Sequence, residues 1–447
     1  MSQHDYAIRS HLFGGIMSAR QLAEKIGVSQ PTISRALVEL GNEIVKIGGA
    51  RSIQYALRDA ARGLPDIPVY RVGTEGTIKK LGTLIPVRQE GFVMRQEDGK
   101  TVHSDSAPWW LLDMLPQGYL GRAYAARHGT RLGLTSKLND WTDTDHIRAL
   151  LAQGSDTVGN LLLGESPREQ FLNAAEPNLI TDELKPQEYA RLAFDAARGE
   201  IPGSSAGGEQ PKFTTYAMTP SGAQQVLVKF SELDENPVTQ RWRDLLYAEH
   251  IALETLRNDG VTAAKTQIID KGYQRFLEVE RFDRIGQFGR RGLHSLQALD
   301  AEFVGNGNGS WPVIVQQLVN EGVVHPESLE RASLLWAFGT LIGNTDMHNG
   351  NLSFISEHGR PYTLAPAYDM TPMAFAPHSG GALPDHLPSP NIISAIDNAI
   401  WRRAIDMANT CVTRLQAAAV FSERFQPCIA ALAAHIAEGR AKIAKLN

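Results

Sequence analysis

The apolar positions of the first sixty residues change period once, and the change divides them into helices and a hairpin. Behind Ser18-Ala19-Arg20-Gln21, which reads as a capping-box start, Leu22 and Ile26 fall on one helical face, and Gly27 ends the run. Val28 fills a turn. Ser29 then caps a second helix with Pro31 in its first turn, where a missing N–H is harmless. Ile33, Leu37 and Leu40 share one side of that helix, which leaves Gln30, Thr32, Ser34 and Arg35 on the outer, N-terminal face. From Val45 the period drops to two: Val45 and Ile47 alternate into Gly48-Gly49, and Ile53, Tyr55 and Leu57 alternate out. The pattern predicts a winged helix-turn-helix over residues 1–60. Gln30, Thr32, Ser34, Arg35 and Arg51 are its candidate contacts to DNA bases and phosphates. The plainer alternative is a small helical domain that contacts protein.

The stretch "RDAARGLPDIP" breaks the pattern and reads as a linker. Residues 69–100 alternate in short runs split by glycines, as an antiparallel sheet does. A polar, helix-prone segment continues to about Arg198, and its pieces "SDTVGNLLLG" and "PREQFLNAAEP" suggest no chemistry. Short strands and one long helix follow, and the remainder is mostly helical. The expected division is therefore 1–60, 61–285 and 286–447, in an α+β chain.

At 447 residues the chain exceeds one ordinary core, and 43% apolar with 21% charged residues is the balance of a soluble globular protein. A net charge of −5 excludes a protein that coats nucleic acid along its whole length, although it allows a local DNA-binding module. That module is only slightly basic, so its DNA affinity would depend on dimerisation. Cys411 and Cys428 show neither metal-ligand spacing nor a disulfide framework. With a polar start, MSQHDYAIRS, and no apolar run near membrane-spanning length, the expectation is a cytoplasmic protein with no membrane partner.

The chemistry begins near residue 203. "GSSAGGEQPKF" places Ser204, Ser205, Gly207, Gly208 and Lys212 in a loop whose backbone can approach an anion, although such loops are usually only flexible. "QQVLVKF" then embeds Lys229 among Val226, Leu227, Val228 and Phe230, and an interior lysine needs an anionic partner. Glu249, in the helix "LLYAEHIALETL", can supply it. Glycine loop, strand lysine and helix glutamate, in that order, form the nucleotide-binding half of a kinase. "RFLEVERFDR" would offer backbone groups at Glu280 and Phe282 to an adenine edge and Asp283 to a ribose; the alternative is an edge strand with solvated charges.

"IGNTDMHNGNLSF" crowds polar residues between apolar flanks, which a buried segment tolerates only if something binds them. Asn351 follows Asp346 by five positions (351 − 346), the interval between base and metal-binding amide in protein-kinase catalytic loops. Asp369 lies 23 further on (369 − 346), beyond a hairpin-like "LSFISEHGRPYTL" that returns it beside Asn351. Amide and carboxylate oxygens suit Mg²⁺ bridging ATP phosphates, and Asp346 is left to orient or deprotonate a hydroxyl. Two rivals stand beside this reading: a metallohydrolase or nuclease cluster of Asp346, His348 and His378, and a non-catalytic kinase fold.

The linked set "SSAGGEQPK", "LVKF", "VERFDR", "NTDMHNGN" and "YDM" resembles the HipA family of bacterial Ser/Thr toxin kinases over roughly residues 70–430, and the extra N-terminal winged helix resembles its YjjJ-like subgroup. The resemblance implies a bilobal, protein-kinase-like fold, with ATP and Mg²⁺ as cofactors. It also implies a protein substrate phosphorylated on serine or threonine, an aminoacyl-tRNA synthetase being the known type of target, with arrest of translation as the result. By the same resemblance Lys229 binds phosphate, and Glu280 and Phe282 contact adenine through the backbone, with Asp283 at or near the ribose. Asp346 is then the base, His348 and Tyr368 contact the nucleotide, Asn351 and Asp369 hold the metal, and Ser204 or Ser205 is the autophosphorylated residue. The family often carries a lysine just before the metal asparagine. Gly350 stands there, so either activity is reduced or Lys212 substitutes. The family also reaches DNA through a separate antitoxin, whereas here a DNA-binding module is fused to the chain and a homodimer is an open assembly. The second function class is a DNA-binding regulator whose kinase-like part is weak or senses a ligand.

Overall fold

The computed structural model describes residues 3–49, 52–198, 210–357 and 359–445. Arg51, Ser204, Ser205, Gly207 and Gly208 lie outside the described residues.

The N-terminal unit contains both expected helices. Ala19–Ile26 begins with reciprocal bonds between Ser18 and Gln21 and ends at Gly27, whose φ of 76° is the left-handed conformation that favours glycine. Gln30–Glu39 is capped by the Ser29 hydroxyl, which accepts from Thr32 N–H. A further helix, Gln3–Phe13, which the sequence pattern left unmarked, closes the core with Ile8 and Leu12 against Leu22, Ile33 and Leu37. Strands Ile44–Ile47 and Gln54–Leu57 form the hairpin, and Met17–Ser18 pairs along its other edge. Gln30, Ser34 and Arg35 are exposed, whereas Thr32 is half-buried with its hydroxyl 2.8 Å from that of Ser29.

The hairpin is not free of the rest. Val45, Ile47 and Ala56 share a core with Ile85, Val87 and Val93 of the next sheet, and Gly48 N–H donates to Thr101 Oγ1 at 2.7 Å. The stretch read as a linker is consequently packed: Leu64 and Ile67 are buried in the middle unit, and Arg58 is paired with Asp66. Polar side chains at its surface gave the sequence a linker's appearance while those two apolar residues anchored it.

The middle unit is a five-stranded antiparallel sheet in the spatial order Thr101–Ser104, Gly91–Gln96, Ile78–Val87, Ile67–Val72, Leu161–Leu163. Helices Gly118–His128, Asp143–Gln153 and Glu165–Leu172 and a short 3-10 turn, Trp109–Met114, accompany it.

Beyond it stand two lobes. The first is a four-stranded antiparallel sheet ordered Thr266–Lys271, Gln274–Glu280, Gly222–Phe230, Lys212–Thr219. Alternation assigns its faces. On one side Phe213, Phe230 and Phe276 meet Tyr189 of helix Lys185–Ala197, where buried Lys185 pairs with Glu278 at 2.9 Å. On the other, Leu277 and Val279 meet Leu246 of helix Pro237–Asn258. The second lobe gathers helices Leu296–Phe303, Trp311–Asn320, Glu327–Leu341, Asn398–Ala417 and Gln426–Ile443 around the largest core. Cys411 and Cys428 are free thiols buried in it. A three-stranded sheet, Leu293–Ser295, Ser353–Ile355 and Thr363–Leu364, lies beside the cleft between the lobes. Among the described residues no helix is long and apolar enough to cross a membrane.

Candidate active site

Lys229 sits near the end of a central strand, and its side chain is only 5% exposed. Directly across the ladder stands Lys212, also buried. Like charges opposite one another on adjacent strands repel, so this pairing persists only with anions at hand. Glu249 accepts from Lys229 Nζ at 2.7 and 2.9 Å, and Asp369 is the second carboxylate bonded to the same ammonium. Burial alone would lower the Lys229 ammonium; Asp369 and then Glu249 overcome this and hold it above its ordinary value. Burial lifts the Glu249 carboxyl against the pull of Lys229, and Thr371 Oγ1 donates to it at 2.8 Å. Burial acts upward on Asp369 too, but Lys229, Lys212 and His348 hold it below the usual carboxylate range.

Two elements bring Asp369 there. Ser353–Ile355 pairs antiparallel with Thr363–Leu364, as the hairpin reading expected. Ala367 is then pinned, its N–H to Thr262 O (3.0 Å) and its carbonyl to Ala264 N–H (2.8 Å). Asp369 itself has φ of 53°, a conformation that a non-glycine residue adopts only where its surroundings impose it. Its carbonyl accepts from Asn344 Nδ2 at 3.1 Å, while Asn344 Oδ1 accepts from Asp346 N–H at 3.0 Å. One buried amide therefore fixes both ends of the loop. Asn344 belonged to the conspicuous polar cluster, but nothing in its spacing assigned it this task.

Asn351 Nδ2 donates to Asp346 O at 2.8 Å, which stiffens the loop from the other side. His348 Nδ1 accepts from Gly350 N–H at 3.0 Å. This contact gives Gly350 a physical reason: a Cβ there would stand 2.8 Å from His348 Cε1. The Tyr368 hydroxyl donates to Gly350 O (2.9 Å) and lies 2.6 Å from Ser353 Oγ.

These groups line one cleft of about 1110 Å³, open mouth included. It contains Lys212, Lys229, Glu249, His348, Asn351 and Asp369, with Phe282 and Tyr368 farther along, their ring centroids 5.6 Å apart. Asp346 does not line this cleft. Its side chain is exposed in an adjoining groove of about 1010 Å³, and His348 borders both. Of the three groups expected to converge, Asn351 and Asp369 line this cleft, and Asp346 stands on the groove side.

The segment from Glu280 to Asp283 also lines the cleft. Glu280 N–H donates to Lys265 O at 2.9 Å, and Thr219 and Ser221 hold its carboxylate, so a backbone contact from Glu280 to an adenine edge would come from its carbonyl. Asp283 lines the cleft, but both its oxygens are occupied. Arg281 bonds them at 2.9 and 3.0 Å, Arg284 Nη1 bonds Oδ2 at 2.7 Å, and Gly159 N–H adds 3.1 Å. Asp283 is thus committed to donors of the protein itself. It ties the connecting strand to the middle unit, where Asp156 completes the arginine cluster. Asp156 and Gly159 come from "SDTVGNLLLG", the segment in which the sequence suggested no chemistry. Among the described residues, no group of three or more His, Cys, Asp or Glu side chains gathers as a metal site, so Asp346, His348 and His378 do not form the rival cluster.

The profile described as "HipA-like C-terminal domain" matches residues 204–435, and that described as "YjjJ-like toxin, middle domain" matches residues 64–172. The chain is 40% identical over 400 residues to "Toxin YjjJ" of Escherichia coli (strain K12), covering 89% of each protein. The fold is similar to the Shewanella oneidensis MR-1 HipA toxin-antitoxin structure, a complex of HipA, HipB and operator DNA. The TM-score is 0.52 at 15% identity, over 85% of this chain and 97% of that one. A weaker likeness, TM-score 0.40 at 14% identity over 54% of this chain and 94% of that one, links it to the Helicobacter pylori proinflammatory kinase CtkA.

Proposed function

The chain belongs to the HipA-like toxin family and carries the middle domain of its YjjJ-like members, and from that premise we propose that it is an ATP- and Mg²⁺-dependent Ser/Thr protein kinase with a DNA-binding module in the same polypeptide. The observation that carries this reading is the buried Lys229 held between Glu249 and Asp369 in an interlobe cleft. A fixed buried cation beside a second lysine is a phosphate-binding arrangement.

In this reading the rings of Phe282 and Tyr368 border the adenine, whose edge meets backbone groups between Glu280 and Phe282. Lys229 and Lys212 neutralise the phosphates. Asn351 and Asp369 fit the role of Mg²⁺ holders: the Asn351 amide nitrogen is engaged with Asp346 O, its oxygen is the hard donor, and Asp369 adds a carboxylate. The ion would supply charge neutralisation between the phosphates. Asp346, on the groove side, accepts the proton of a substrate serine or threonine hydroxyl as that oxygen bonds to the γ-phosphorus and ADP leaves. The protein substrate is a component of translation, such as an aminoacyl-tRNA synthetase, and its phosphorylation in the cytoplasm would arrest growth.

The exposed Gln30, Ser34 and Arg35, with Thr32, support contact with a DNA major groove, two chains pairing to strengthen it. A second reading, a DNA-binding regulator with a weak kinase-like domain, draws on Gly350 in place of the family's lysine.

Incorporation of labelled phosphate from ATP with Mg²⁺, into the chain itself or a translation extract, separates the two. The kinase reading expects labelling by the native chain and none by Asp346→Asn. No labelling and no ATP binding by the native chain would refute it. Arg35→Ala should abolish a specific gel shift and leave labelling intact.

A further inference from the structure

One carboxylate in the nucleotide cleft comes from outside the kinase lobes. Asp113 belongs to the 3-10 turn Trp109–Met114 of the middle unit, yet it lines the same cleft as Lys229 and Asp369. Ser295 N–H donates to Asp113 Oδ2 at 2.7 Å. Ser295 is the cross-strand partner of Ser353, whose hydroxyl meets that of Tyr368. Asp113 therefore stands next to Tyr368, whose hydroxyl, raised mainly by burial, feels both Asp369 and Asp113.

Charge fixes which end of a nucleotide Asp113 can face. The cleft's lysines, Lys212 and Lys229, gather at Asp369, so the phosphates belong there, and a second carboxylate would repel them. Asp113 must face the uncharged nucleoside portion. Burial pushes its carboxyl above the ordinary value despite the Ser295 bonds, as expected of a carboxylate with more acceptor sites than donors. The vicinal hydroxyls of a ribose are the natural donors in that portion. Of the neighbouring carboxylates, Asp283 is engaged by Arg281, Arg284 and Gly159, and Glu280 by Thr219 and Ser221.

Building on the nucleotide-binding reading above, we infer that Asp113 is the ribose-recognising carboxylate of this cleft, delivered by the middle domain. The docking of that domain on the kinase lobes is then part of the binding site.

The test is calorimetric binding of ATP, 2′-deoxy-ATP and 3′-deoxy-ATP, with Mg²⁺, to the full-length chain. A hydrogen bond to a charged acceptor should make ATP bind roughly tenfold tighter than at least one deoxy analogue. Asp113→Asn should reduce that ratio several-fold by weakening ATP selectively. Equal affinity of the native chain for all three nucleotides overturns the inference without any variant. So does an Asp113→Asn protein that keeps the native ratio or weakens all three alike, which would reduce Asp113 to a brace for Ser295. Failure of the native chain to bind any of them refutes the kinase reading itself, a result distinct from binding without discrimination.

Discussion

Replacing Lys229 by methionine tests the electrostatic arrangement at the centre of the cleft. The variant keeps the volume and removes a cation bonded to both Glu249 and Asp369. Glu249 is 1% exposed and Asp369 26%, so water can compensate the second far better than the first. Removing one partner of a buried pair costs about 3–5 kcal/mol, because it leaves a charge without compensation. At about 2–4 °C per kcal/mol for a lobe of this size, the melting temperature should fall by roughly 10 °C. The loss should also depend on pH, with a definite sign. Burial already raises Glu249 in the native protein, and without Lys229 that carboxyl rises further. A group whose folded-state pKa is raised stabilises fully below its unfolded value, and that contribution fades as pH rises through the folded value. Asp369 changes in the same direction, from lowered toward normal or above. The deficit relative to native protein should therefore be smallest near pH 5 and largest near pH 8. Thermal melts at the two pH values, with Lys229→Arg as a charge-retaining control, measure it. An unchanged melting temperature, or a deficit that shrinks toward pH 8, would refute the assigned pairing.

Asn344→Ala should leave Asp346 N–H and the Asp369 carbonyl without their shared partner, at about 1 kcal/mol for each part-buried bond, and lower kcat more than it raises the KM for ATP in steady-state phosphorylation assays. Asn344→Asp keeps the acceptor for Asp346 N–H and should recover part of the rate. Gly350→Lys should not improve catalysis, because its Cβ displaces the His348 ring; titration with ATP should show weaker binding, and tighter binding would contradict the steric argument. Asp283→Asn should cost about 1–3 kcal/mol, because Arg281 and Arg284 lose a charged acceptor but keep Asp156, which denaturant melts would detect.

Much of the site was legible in the chain because its signals are local. A lysine on an apolar strand, a glutamate on the following helix, and the five-residue interval from Asp346 to Asn351 are short-range patterns constrained by backbone geometry. The caps at Ser18, Gly27 and Ser29 were readable for the same reason, since a helix end is settled within one turn. Helix Gln3–Phe13 escaped notice because its apolar face is narrow and finds its partners only in the folded unit. Residue identity alone could not assign the carboxylates. Asp113 and Asp283 are chemically the same, yet one meets Ser295 in the cleft while the other meets two guanidinium groups from its own stretch of chain.

The sequence by itself determined the helices, caps and hairpin of residues 18–57, and the order in which loop, lysine, glutamate and catalytic segment follow one another. Each depends on neighbours a few residues away, and propensity and periodicity act over that range. Only the tertiary structure decided that the hairpin and the supposed linker pack against the middle sheet and that Asn344 braces two aspartates. It alone placed Asp156, Gly159 and Asp113 against the kinase lobes. The first of these depend on packing and hydrogen bonds between separate segments, and the last on polar partners more than a hundred residues apart, which no local pattern encodes.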